Sequence, residues 1–112
     1  VSDGGVLTIS GEGPLPDNVQ PWYARRNDIN SVIIETGITR IGSESFEFCS
    51  MSKIQIPDSV VSIGNNAFYS CSQLSSINIP KGVIEIEGVP FPWCSNLAEI
   101  TVNPDNPGLS SK

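Results

Sequence analysis

Three cysteines, Cys49, Cys71 and Cys94, are the side chains in this sequence best suited to chemistry. A thiolate can attack a carbonyl, bind zinc or form a disulfide, and each role needs partners. The sequence contains no histidine. That removes Ser-His-Asp and Cys-His catalysis and most zinc sites. The cysteines stand 22 and 23 residues apart, with no base repeated beside them. Their odd number leaves at least one unpaired within the chain. Acidic residues are the next candidates. Glu44, Glu47, Glu85, Glu87 and Glu99 are scattered, and read as a solvated acidic surface rather than a glycosidase pair. Asn103, Asp105 and Asn106 lack the spaced carboxylates of a calcium loop. No P-loop or dinucleotide fingerprint is present. The expectation is therefore no catalytic residue, no metal and no cofactor. Trp22, Tyr69 and Trp93 remain as aromatic contact candidates, because a ring face can carry a sugar or a protein side chain.

The spacing of the cysteines belongs to a longer pattern that must position everything else. Residues 54–76 read IQIPDSVVSIGNNAFYSCSQLSS, and residues 77–99 read INIPKGVIEIEGVPFPWCSNLAE. Residues 32–53 repeat the same pattern one residue short of the 23-residue period. A fixed period of this length is the signature of a solenoid. Val32, Ile54, Ile77 and Ile100 open a strand in each copy, and Ile34, Ile56, Ile79 and Val102 follow on the same face. Ile38, Val60 and Val83 form a third apolar column, and Ile41, Ile63 and Ile86 a fourth. Phe46, Phe68 and Phe91 form a fifth, and the three cysteines a sixth. Ile29, Met51, Leu74 and Leu97 close the turn. One coil cannot bury such a lining alone, but stacked coils can.

Turn formers lie between the columns. Pro57 and Pro80 follow the strands, Gly37, Ser59 and Gly82 mark the next bend, and Gly42, Gly64 and Gly88 are expected at positive φ. Apolar residues at i, i+3 and i+6 in 68–74 fit about two turns of α- or 3₁₀-helix. In the copy 77–99, Pro90 and Pro92 flank Phe91 and are expected to loosen that helix. The cysteines read as a ladder of buried thiols, since stacked side chains point in parallel and make poor disulfide geometry.

The chain divides into 6–31, 32–53, 54–76, 77–99 and 100–112, all within one domain. Residues 1–5 look like a flexible start. Residues 6–31 read as a degenerate capping coil. Leu7 and Ile9 match the Val32/Ile34 pair, and Pro21-Trp22-Tyr23 opens a short helix to about residue 27. Trp22 and Tyr23 are large enough to cover the open end of the core. After Val102 the pattern stops at a turn cluster, 103–108, followed by Leu109 and a short polar tail. The last strand edge is expected to be open, as if the chain continued a longer array, and such an edge invites self-association. The formal net charge is −6, with no basic run, so nucleic acid and anionic membranes are poor partners. No signal peptide is visible and no apolar run approaches a membrane span.

The repeat resembles the BspA-type leucine-rich repeat. The carrying residues are Ile54-x-Ile56-Pro57, Ser59-Val60-x-x-Ile63-Gly64 and Ala67-Phe68-x-x-Cys71-x-x-Leu74, and the pattern covers 29–103. The opening Leu7-Thr8-Ile9-Ser10-Gly11, with Pro21-Trp22-Tyr23, also looks like that family's N-terminal coil. The resemblance implies bacterial cell-surface or secreted proteins with adhesive or binding roles, and an extracellular or surface location. Gly37, Ser59 and Gly82 stand where ordinary leucine-rich repeats carry asparagine, so no asparagine ladder is expected at the bend.

The resulting expectation is an α/β solenoid, a right-handed leucine-rich-repeat-like coil. A short parallel sheet forms one face, and short helices or 3₁₀ turns form the other. A protein or glycan ligand would lie across the sheet, on the outward residues Thr8, Ile33, Lys53, Gln55, Ser76, Asn78, Glu99 and Thr101, with Ser31 beside them. Two alternatives stand. One is a structural spacer within a longer array, because a five-strand face of a few hundred Å² falls below the roughly 800 Å² per partner of a standard interface. The other is a carbohydrate-binding module using Trp22, Tyr69 or Trp93.

Overall fold

The computed structural model describes residues 5–15, 17, 22–89 and 91–106. The expected roles of residues 1–4, Pro21, Pro90 and 107–112 lie outside the described residues. The chain winds as a parallel β-solenoid. Its first face is built from β1 (Val6–Ile9), β3 (Ser31–Ile34), β5 (Lys53–Gln55), β7 (Ser76–Ile79) and β9 (Glu99–Val102). Five such strands bound about four turns. Leu7 lies opposite Val32, Val32 opposite Ile54, and Ile77 opposite Ile100. The single sheet expected from sequence is instead two panels, β1-β3-β5 and β7-β9.

A second parallel ladder was not expected. It joins β2 (Gly13–Pro14), β4 (Ile38–Ile41), β6 (Ser62–Ile63) and β8 (Glu85–Ile86). Each coil therefore turns a corner after its first strand and pairs a second time. Ser59 holds one such corner. Its hydroxyl donates to Ile38 O at 2.7 Å and accepts from Gly37 N at 3.2 Å. Asn106 holds a later one, donating its side-chain amide to Pro80 O at 3.0 Å and Val83 O at 2.7 Å. Side chains thus support the bend without a continuous asparagine column.

The helices expected on the other face are minimal. The 3₁₀ helix Tyr23–Asp28 forms near the predicted place. Residues 68–74 instead form successive turns. Asn66 and Ser70 adopt left-handed backbone, φ 57° and 55°, as do Glu44, Phe48 and Trp93 at 61°, 61° and 62°. A residue in that region stops a right-handed helix. The amides explain the choice. Ala67, Tyr69 and Cys71 donate locally to the third residue back, while Asn66 and Ser70 donate to Val89 O and Pro92 O of the next coil. Phe46 and Phe48 likewise donate to Ala67 O and Tyr69 O. Bonds that a helix would keep along its own axis run between coils. Of the glycines expected at positive φ, Gly88 is (60°) and Gly42 and Gly64 are not. Gly64 serves close approach instead, since a Cβ there would meet Ser43 N at 2.5 Å.

The core is a set of stacked columns. Trp22, Phe46, Phe68 and Phe91 stack face to face, with centroids 5.2, 5.7 and 5.4 Å apart. Met51, Leu74, Val60, Ile63 and Val83 are fully buried around them. Packing thins toward β9, where Ile86, Phe91, Cys94, Leu97 and Val102 are half-buried and Ile100 is 42% exposed. Among the described residues no helix is long and apolar enough to cross a membrane.

Candidate binding surface

Strand alternation sends every second residue of the first face outward. Two outward rows result. One holds Val6, Ser31, Lys53, Ser76 and Glu99; the other holds Thr8, Ile33, Gln55, Asn78 and Thr101. Thr8, Lys53, Gln55, Ser76, Asn78 and Glu99 are exposed, while Ser31, Ile33 and Thr101 are half-buried. Thr101 donates its hydroxyl to Asn78 Oδ1 at 2.9 Å, which orients both side chains. Ile33 is the apolar member of the row. It borders two depressions. One, of about 290 Å³, is lined by Ser31, Val32, Ile33, Lys53, Ile54 and Gln55. The other, of about 570 Å³, runs over the corner to Glu35, Asp58 and Ser59. Hydroxyl, amide, carboxylate and one ammonium group around an apolar centre can hydrogen-bond a polar ligand.

The aromatic candidates are not brought together. Trp22 is half-buried, stacks on Phe46 and donates its indole N–H to Ser45 O at 3.0 Å, so its ring covers the end of the core. Tyr69 meets Phe48 edge-on at 5.5 Å. Trp93 is 75% exposed. Phe48, 43% exposed, was not singled out in the sequence, although it shares a column with Trp93.

The thiols have structural partners. Cys71 donates to Phe46 O and Cys94 to Phe68 O, each at 3.0 Å across a coil boundary. All three cysteines are free thiols. Burial pushes Cys49 up to about 12. The hydrogen bond with Cys94, and then burial, pushes Cys71 up, while the same bond lowers Cys94. Not every acidic residue is merely solvated. Glu87 binds Arg40 at 2.8 Å, and Asp17 binds it at 2.6 Å, so one guanidinium ties three stretches of chain. Hydrogen bonds to Glu87 and Asp17 hold Arg40 above its ordinary value, and the bond to Arg40 holds Asp17 below its own. Asn103 Oδ1 accepts from Asp105 N, and Asn106 turns its amide into the coil. Among the described residues no group of three or more acidic, cysteine or histidine side chains could hold a metal.

A family model described as the BspA type leucine-rich repeat region, six copies, matches residues 22–111. The chain belongs to the BspA-type leucine-rich repeat family. Solved structures agree with this placement. A leucine-rich repeat protein from Eubacterium ventriosum is 29% identical and superposes with a TM-score of 0.57, over 94% of this chain and 41% of its own. A leucine-rich cell surface protein from Faecalibacterium prausnitzii, 21% identical, shares the fold with a TM-score of 0.55, over 88% of this chain and 32% of its own. The BspA-type chain thus spans less than half the length of either. No curated protein matches it.

Proposed function

We propose that this chain is a non-catalytic binding module of a bacterial cell-surface or secreted protein, with a protein or glycan ligand lying across the two-panel sheet face. The observation that carries this reading is the pair of outward rows, in which polar side chains stand exposed around half-buried Ile33. Family membership and the surface location of the Faecalibacterium protein support it. The face is small. Strands about 4.8 Å apart give it a few hundred Å², against roughly 800 Å² per partner in a standard interface. The chain would then supply part of a longer surface and bind weakly alone. The same small area favours the second reading, a spacer that sets the reach of other segments.

Labelled protein tested on matrix-coated surfaces, epithelial cells and bacterial cells separates the two. Binding should saturate, and Ile33→Asp combined with Gln55→Ala and Asn78→Ala should weaken it at least tenfold. Absence of saturable binding, alone or within a longer chain, would leave the spacer as the correct reading.

A further inference from the structure

A second surface lies on the turn side of the coils, away from the sheet face. Phe48, Ser70 and Trp93 occupy equivalent positions in three successive coils and share left-handed backbone. Cross-coil amide bonds set this backbone at Phe48 and Ser70, and it recurs at Glu44 and Asn66, so exposure rather than strain singles out the surface. Trp93 is 75% exposed and Phe48 43%. Two coils separate these rings, which sets them about 10 Å apart along the axis. Ser70 stands between them in this column, so its exposed apolar side chains are interrupted, although half-buried Tyr69 of the same coil meets Phe48 edge-on. Beside Phe48 a shallow groove of about 400 Å³ is lined by Tyr23, Arg26, Asn27, Phe48, Ser70 and Ser72. Its lining offers hydroxyls and an amide. The Arg26 guanidinium is already engaged, lying 4.1 Å over the Tyr23 ring and donating to Tyr23 O at 3.1 Å.

These features select among ligand classes. An apolar protein surface would favour a contiguous apolar patch, and Ser70 breaks it. An anionic ligand would want uncommitted cations and meets a chain of net charge −6. A sugar ring fits both parts. Its C–H face packs on an aromatic face by dispersion, and its hydroxyls take the serine and asparagine groups. An extended pyranose chain advances by roughly one coil spacing per sugar, so rings two coils apart meet alternate sugars.

We propose that this turn-side groove binds a neutral, extended oligosaccharide that runs on to Trp93 one coil beyond Ser70, with Phe48 and Trp93 stacking on alternate sugars, Ser70 and Ser72 bonding the hydroxyls between them, and Asn27 bonding those on the other side of Phe48. The site is separate from the sheet face, so either surface can fail without the other. Calorimetric titration with cello-, manno-, xylo-, malto- and chitohexaose tests it. At least one should bind. Trp93→Ala and Phe48→Ala should each weaken it tenfold or more, while Gln55→Ala and Asn78→Ala leave it unchanged. Trp93→Ala should melt like the parent protein, which separates lost contact from lost fold. No binding by any of the five at millimolar concentration would overturn the proposal, as would binding indifferent to Trp93→Ala. Sugar binding lost only on changing Gln55 and Asn78 would place the glycan on the sheet face instead. A protein ligand captured through Trp93 while the sugars stay unbound would also overturn it.

Discussion

Replacing Phe68 by alanine should be among the most damaging single changes in this protein. Phe68 is fully buried and stacks on two rings, Phe46 at 5.7 Å and Phe91 at 5.4 Å. Truncating a buried phenylalanine costs about 3–5 kcal/mol, because the cavity collapses only in part. Each lost aromatic pair accounts for about 0.5–1.5 kcal/mol beyond area burial, which puts Phe68→Ala in the upper half of that range. Phe91 is half-buried and has one stacked neighbour, so Phe91→Ala should cost about 1–2 kcal/mol. Against a total of roughly 5–15 kcal/mol, the Phe68 variant should still fold. Urea unfolding followed by tryptophan fluorescence measures both. Because coils couple only to their neighbours, the Phe68 variant should also lose cooperativity and show a lower m-value. A Phe68→Ala loss below about 1 kcal/mol, or no larger than that of Phe91→Ala, would refute the idea that the stacked column carries stability between coils.

Thiol labelling should be ordered. Half-buried Cys94 should react first, Cys49 and Cys71 only on unfolding, and unfolding without reductant should release three free thiols; fewer would reveal a disulfide. The Cys49 value rises from 9.0 to about 12 on folding, so its contribution is complete below pH 9 and is lost as pH climbs toward 12. Alkaline melts should therefore fall in that window, and Cys49→Ala should flatten part of the fall. Asn106→Ala leaves the buried carbonyls of Pro80 and Val83 short of a donor and should cost about 1–3 kcal/mol by thermal or urea melts; no loss would mean the side chain is not a corner support. Ile100 on β9 is 42% exposed, so light scattering at high concentration should detect self-association through this end, relieved by Ile100→Lys; a strict monomer would show that the edge is already guarded.

The apolar columns were legible because coil-on-coil packing accepts only a narrow range of shapes at each position. Phe46, Phe68 and Phe91 repeat for that reason, and the strand register pairs Leu7 with Val32 and Val32 with Ile54 as their spacing implies. The second ladder was not legible. Its strands β6 and β8 are two residues long, too short for alternation to appear, and Ile38 and Ile41 are both buried although three apart. The turns misread as helix have helical apolar spacing, since Phe68, Cys71 and Leu74 all face inward. Asparagine favours left-handed backbone, so Asn66 carried a weak mark, but nothing in residue type marked Ser70, because cross-coil bonding sets its conformation. The outward rows followed from strand alternation alone. Phe48 did not, because its column also holds Ser70 and Trp93 and shows no common character. Asn106 acts 23 and 26 residues from its partners, in a stretch where the apolar signal has ended.

The routing of backbone bonds between coils has a mechanical consequence. Ser52 N donates to Asn30 O, Ser75 N to Ser52 O and Ala98 N to Ser75 O, and the strand ladders run in the same direction. Tension along the solenoid axis loads these bonds in series, so they open one coil at a time rather than shear together. Each coil of 22 or 23 residues would then release about 75–80 Å of chain from a rise of about 5 Å. A protein anchored at one end and held at the other would lengthen stepwise under load and shorten again as coils re-stack. Held in that way, such a chain would behave as an extensible tether.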